Sequence, residues 1–185
     1  ESGDMLSAKI NASQGFDWRR LKIGAALTYS FYDSPLLVQD EVLRYSGNSL
    51  GIEADVSLTP FKWLSASYQG SYSRSATQQK GYERFPWLRT VTNKASLDFT
   101  IPGGVTLTTS LYHYYNNFNN GDKSFILLNA EARYTIKRFS FMLSCDNLLN
   151  RKSYVYSSMS ALIESRAVYG IRPRSILLKI RFRIF

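Results

Sequence analysis

The chain has 185 residues, a formal net charge of +9, 44% apolar residues and a single cysteine. One ordinary domain fits that length, one cysteine excludes an internal disulfide framework or a Cys-based zinc site, and the longest apolar run, Phe125–Leu128, is far short of a transmembrane helix. The positive charge admits an anionic partner such as nucleic acid or anionic lipid.

In chain order, the dominant signal is period-2 alternation, the mark of a strand with two unlike faces. Leu6, Ala8, Ile10 and Ala12 alternate with Ser7, Lys9 and Asn11. After a turn at Gly15–Asp17, the series Leu21, Ile23, Ala25, Leu27, Tyr29, Phe31 opposes Lys22, Gly24, Ala26, Thr28, Ser30. Residues 33–46 read as a long polar loop broken by Pro35. Ile52, Ala54, Val56 and Leu58 oppose Glu53, Asp55, Ser57 and Thr59, and Pro60–Lys62 turns the chain. Leu64 to Tyr72 alternates again, and residues 75–86 read as a second long loop. Val91, Ala95, Leu97, Phe99 and Ile101 form one face of the next strand, with Asn93 a polar exception on it. Pro102–Gly104 is a tight turn. Val105 to Leu111 follows, then the Asn/Gly-rich loop from Asn116 to Lys123. Ile126 to Ile136 alternates, Lys137–Arg138 turns, and Phe139, Phe141, Leu143 and Cys145 share a face. Residues 151–166 read as a last long loop, with one helical turn between Met159 and Glu164. The final stretch has Ile176, Leu178, Ile180, Phe182 and Ile184 on one face and Leu177, Lys179, Arg181, Arg183 and Phe185 on the other.

This reading gives about nine strands, longer than is usual in soluble sheets, joined by connections that alternate between short and long. Long amphipathic strands with short turns on one rim and long loops on the other predict an all-β fold: a transmembrane antiparallel up-and-down β-barrel. Bacterial single-chain barrels have even strand numbers, so nine strands predict the C-terminal part of a larger barrel, with residues 1–185 forming wall only. A soluble sandwich, or a soluble basic β-barrel binding nucleic acid through Arg172, Arg174, Lys179, Arg181 and Arg183, is the competing class. Its fit is poor, because these cations alternate with a long apolar face.

Two stretches carry a family resemblance. Asp146-Asn147-Leu148-Leu149-Asn150-Arg151-Lys152-Ser153-Tyr154 resembles the signature near the end of TonB-dependent receptors, with Leu149 in place of its Phe. Tyr169 to Ser175 and the strand after it resemble the closing strand of those receptors, particularly the Bacteroidetes, SusC-like type; Leu58 to Leu64 is similar to one of their periplasmic turns. The resemblance implies a barrel of about 22 strands in the outer membrane of a Gram-negative bacterium, filled by an N-terminal plug and energised through a TonB box. Neither plug nor TonB box can be read in these residues. It implies active import of a large nutrient, a glycan or siderophore, with outer-membrane lipid, the rest of the barrel and plug, the TonB complex and a surface lipoprotein as partners, and no nucleic acid. The C-terminus is then periplasmic and the long loops extracellular. A passive porin, an adhesin or an assembly barrel is the alternative within the membrane class.

No enzyme chemistry is expected. His113 has no second His or Cys, no catalytic triad or phosphate loop is present, and no catalytic, cofactor or metal site is assigned. Asp55, Asp98, Glu131 and Arg133 are expected to face the lumen, toward a plug or water. Asn116, Asn117, Asn119, Asn120, Tyr82, Phe85, Trp87, Tyr154 and Tyr156 in the loops suit stacking and hydrogen bonding to a sugar or siderophore, but the substrate-binding residues stay unassigned.

Overall fold

The computed structural model describes residues 3–38, 40–119, 123–160 and 163–183. Nine antiparallel strands form one sheet: β1 (Asp4–Phe16), β2 (Leu21–Val38), β3 (Glu41–Phe61), β4 (Leu64–Gln79), β5 (Leu88–Ile101), β6 (Val105–Asn116), β7 (Ser124–Ile136), β8 (Phe139–Asp146) and β11 (Ser175–Phe182). Each strand pairs with the next in sequence as far as β8, which pairs with β11. β9 (Ser153–Ser160) and β10 (Ile163–Gly170) form a separate hairpin. The outer edges of β1 and β11 are unpaired among the described residues, and the sheet does not close on itself.

The register keeps every apolar series on one face. Leu27 pairs with Ile52, Ile52 with Tyr72, Leu97 with Ala66 and Thr109, and Leu111 with Leu128. Leu178 opposite Leu143 and Ile180 opposite Phe141 bring the last strand onto the same face. Among the described residues no second layer covers it. The buried apolar residues among those described are Tyr45, Ala76 and Tyr114, whereas Ile10, Leu27, Ile52, Leu97, Leu143, Ile176 and Ile180 are exposed. Ile180 is 59% exposed and Phe182 52%, so neither lies in a compact core. A water-facing surface of this kind forgoes roughly 1.5–3 kcal/mol per large side chain. Lipid removes that penalty.

The opposite face satisfies itself across the strands. Ser30 bonds Ser49 at 2.7 Å, Ser67 bonds Ser96 at 2.7 Å, and the Thr108 hydroxyl donates to Asp98 at 2.7 Å, each pair directly opposite in register. Glu131 and Arg133, two residues apart on β7, form an ion pair at 3.0 Å on that face. Lys179 and Arg181 share it, opposite Met142 and Ser140.

Aromatic rings border the apolar face at the short turns. Phe61 stacks on Trp63 at 5.1 Å and Trp63 lies 6.3 Å from Phe99; the Arg19 guanidinium sits 4.6 Å over Trp18. Phe139 and Phe182 meet at 4.9 Å across the β8–β11 pair. At the other end, Tyr72 pairs with Val91 and Val91 with Tyr115. From Val91 to Ile101 the strand climbs about 33 Å, which at a tilt of about 40° spans about 25 Å of height, the apolar band of a membrane barrel.

Three predicted loops are corrected. Residues 33–38 and 41–46 are strand: β2 and β3 remain paired up to Val38 opposite Glu41, and residue 39 lies outside the described residues. Pro35 does not interrupt them, because β1 pairs with β2 only as far as Asp33 and the missing N–H falls on a free edge. Predicted loop 75–86 begins later, since β4 stays paired with β3 to Gln79. Of the predicted loop 151–166, residues 153–160 and 163–166 are hairpin strand; both ends of the predicted helical turn are paired, with Glu164 opposite Met159, and residues 161–162 within it lie outside the described residues. Asn120, Ile184 and Phe185 lie outside the described residues.

Leu97→Arg, on the apolar face, is expected to destabilise the barrel by about 2–4 kcal/mol, while Ser110→Arg on the polar face costs less than about 1 kcal/mol. Urea unfolding in lipid bilayers reads both; equal costs would contradict the assignment of faces.

Candidate functional site at the polar face

The most constructed region of the polar face lies under the β9–β10 hairpin. Its base begins where Asn147 and Asn150 leave β8 in left-handed conformations, φ 54 and φ 52, which Asn tolerates better than most residues. Asn147 is 3% exposed and closes the hairpin from beneath. Its amide donates to the carbonyls of Arg151 at 2.8 Å and Arg172 at 2.9 Å, and its Oδ1 accepts from the Arg151 N–H at 2.8 Å. Its own N–H donates to Asn129 Oδ1 on the polar face of β7 at 2.8 Å. Asn150 Oδ1 accepts from the Arg174 N–H at 3.1 Å. The Asp146–Tyr154 stretch is therefore a clamp that joins both feet of the hairpin to the wall.

A second pair of amides holds the body of the hairpin. Asn116, 0% exposed, donates to the Ser157 carbonyl at 2.8 Å and to Tyr114 Oη at 3.1 Å. Asn119 donates to the Val155 carbonyl at 2.9 Å and accepts from the Ser157 hydroxyl at 2.7 Å. Alternate carbonyls of the free β9 edge are thus paired by side chains, which would otherwise stand open to another strand. Rings fill the gap: Tyr114 against Tyr156 at 6.2 Å, Phe125 against Tyr154 at 5.4 Å, Tyr154 stacked on Tyr169 at 5.1 Å. Tyr112, Tyr114 and Asn116 share the parity of Thr108, and Phe125 that of Glu131. The hairpin therefore folds inward over the polar face. A cavity of about 180 Å³ remains beneath it, lined by Asn119, Phe125, Arg151 and Tyr154 among others. Further toward the short turns, Glu53, Asp55, Gln69, Ser71, Thr92 and Lys94 border an open trough of about 290 Å³ with charges of both signs.

The loop residues singled out in the sequence divide on this geometry. Asn116 and Asn119 are committed to the hairpin; Asn117 donates to the Trp87 carbonyl at 2.8 Å and accepts from the Arg89 N–H at 2.6 Å. Tyr154 and Tyr156 of β9 turn their rings toward Phe125 and Tyr114, Tyr156 staying 45% exposed, and Tyr82 is 66% exposed in the β4–β5 loop. The structure brings Tyr114, Phe125 and Tyr169 into the cluster; residues so far apart in the chain are joined by strand pairing, which sequence spacing does not show. No group of three His, Cys, Asp or Glu side chains able to hold a metal occurs among the described residues.

The polar exceptions of the apolar face meet one another. Asn93 lies directly opposite His113. Tyr68 Oη donates to Asn93 Oδ1 at 2.7 Å, the Asn93 amide bonds His113 Nδ1 at 2.9 Å, and His113 Nε2 bonds the Ser124 hydroxyl at 2.9 Å. Gly70, opposite Asn93, makes this possible, since a Cβ there would stand 2.5 Å from Tyr68 Oη. Four polar side chains on four strands thereby satisfy one another just inside the outer aromatic row.

Long two-faced strands, an uncovered apolar surface between aromatic girdles and an inward hairpin on a polar face define the wall of a membrane-spanning β-barrel. A family model described as outer membrane protein beta-barrel family matches residues 45–182, most of the chain. The chain belongs to that family, and an outer-membrane location follows from it. No curated protein and no solved structure matches the chain.

Replacing Asn116 and Asn119 together by Ala leaves the Val155 and Ser157 carbonyls unpaired, at about 1–3 kcal/mol each. The hairpin, residues 153–170, should then exchange its amide hydrogens at least about tenfold faster while β2–β5 stay protected. Unchanged exchange would mean that the amides do not hold it. His113→Leu alone should cost about 1–3 kcal/mol by orphaning Asn93 beside lipid. Adding Asn93→Val and Tyr68→Phe should recover part of that loss, read by thermal unfolding in bilayers.

Proposed function

We propose that this chain forms the C-terminal wall of a larger outer-membrane barrel, and that the whole protein is a TonB-dependent importer of a bulky nutrient such as a glycan or siderophore. The observation that carries the reading is a sheet with a fully developed polar face and inward hairpin whose two edges are unpaired among the described residues. Nine strands in this arrangement need further strands to close a wall, since an open edge in hydrocarbon leaves a row of unpaired backbone groups. Those strands come from sequence outside these residues or from a second polypeptide. In this reading the long connections face the cell exterior and the short turns the periplasm.

The energised-import part rests on the resemblance of Asp146–Tyr154 and of the last strand to TonB-dependent receptors. The charged trough at Glu53, Asp55 and Lys94 suits a plug surface, and the ring cluster under the hairpin suits a sugar or an aromatic chelator. A surface lipoprotein over the long connections is the partner this type of importer would use.

The test uses the complete protein in its own cells, with uptake of labelled oligosaccharides and ferric siderophores followed before and after a protonophore. Concentrative uptake that collapses with the proton gradient is expected. Gradient-independent equilibration, with an open channel in planar bilayers, would replace this reading by a passive porin.

A further inference from the structure

We propose that Arg74 and Arg84, gathered around Trp87, together with Arg89 opposite Arg74, on the lipid-facing side of β4 and β5, form a binding site for the phosphorylated headgroup of an outer-leaflet lipid. Arg74 and Arg89 lie directly opposite one another in the register. Like charges in that position repel. The Arg74 guanidinium also lies 3.8 Å over the Trp87 ring and that of Arg84 5.3 Å from it, so two cations share one ring. Arg74 Nε is buried without a hydrogen-bond partner. Among the described residues none of the three arginines forms an ion pair, although Glu83 is adjacent to Arg84 in sequence. Two guanidiniums on one ring, with a third arginine opposite in the register and no carboxylate paired to any of them among the described residues, form a place for an external anion, and the planar fork of Arg suits phosphate.

The position identifies the source. Arg74 and Arg89 continue the parity of Tyr72 and Val91, the outer row of the apolar band, one step of two residues farther out. That step is about 7 Å along the strand. A side chain just beyond the aromatic row and on the lipid side stands at headgroup height. A solute crossing the lumen would meet the other face. The ring fits this placement too, since Trp favours the membrane interface and strengthens cations stacked on it.

The proposal rests on the long connections facing the exterior, which is tested separately. Tyr82→Cys in a Cys145→Ala background should react with an impermeant maleimide on intact cells; failure there would overturn the orientation and leave the site itself to the binding assay. For binding, the complete protein in detergent is titrated with bisphosphorylated lipid A and with its fully dephosphorylated form, followed by native mass spectrometry. The wild type should retain the phosphorylated lipid at least about tenfold better than the dephosphorylated one. Arg74→Gln/Arg84→Gln/Arg89→Gln should abolish that preference. Neutralising Lys94, Arg133 and Arg181 on the polar face, the same loss of charge, should leave it intact. If the triple variant does not fold, Arg89→Gln, at an exposed position, should lower retention severalfold. Equal retention of both lipids, equal loss in both charge-matched variants, or displacement by millimolar inorganic pyrophosphate as effectively as by lipid A would each overturn the assignment to a lipid.

Discussion

The structure depends on a single layer. A sheet whose apolar face packs against nothing must find the solvent for that face outside the protein, and the two faces of this one are written for different solvents. Between the edge strands β1 and β11, backbone hydrogen bonds are satisfied within the ladder, strand by strand, which is the condition for crossing hydrocarbon. The apolar side chains then do what a core does elsewhere, except that lipid takes the place of the second layer. This explains a molecule of 185 residues with only three buried apolar side chains, Tyr45, Ala76 and Tyr114, among those described.

Polar groups are managed differently on each face. On the polar side they pair across strands as Ser with Ser or Thr with Asp, or along one strand as Glu131 with Arg133, and need little else. On the lipid side they are rare, and where they occur they are linked: Tyr68, Asn93, His113 and Ser124 form one chain of hydrogen bonds. The arginines around Trp87 depart from that economy, because they have no acidic partner among the described residues and stand where the hydrocarbon ends.

Much of the wall was legible from period-2 alternation. Ile176 to Phe182 lie on the expected face because they pair with Cys145 to Phe139, whose alternation has the matching phase. Polar composition was the misleading signal. Residues 33–38, 41–46 and 75–79 lack clear alternation because they rise beyond the apolar band, where neither face must be apolar throughout, yet the backbone ladder continues. The β9–β10 hairpin was hidden for a related reason: it stands on rings and amides, Tyr154, Tyr156, Asn116 and Asn119, that resemble loop composition. Asn93 and His113 were visible as two separate anomalies, and only the strand register makes them neighbours. The Asp146–Tyr154 signature was recognised by resemblance, and its physical task, three amide bonds from Asn147 to both feet of a hairpin, was not readable from spacing.

That clamp makes the hairpin a modular insert. Because Asn147 ties Arg151 to Arg172, the chain leaves and rejoins the wall at nearly one point, and the register of β11 against β8 does not depend on what lies between. The intervening segment can lengthen, shorten or change its rings without disturbing the strands on either side. A barrel built this way can exchange the lining of its interior while its outer dimensions stay constant.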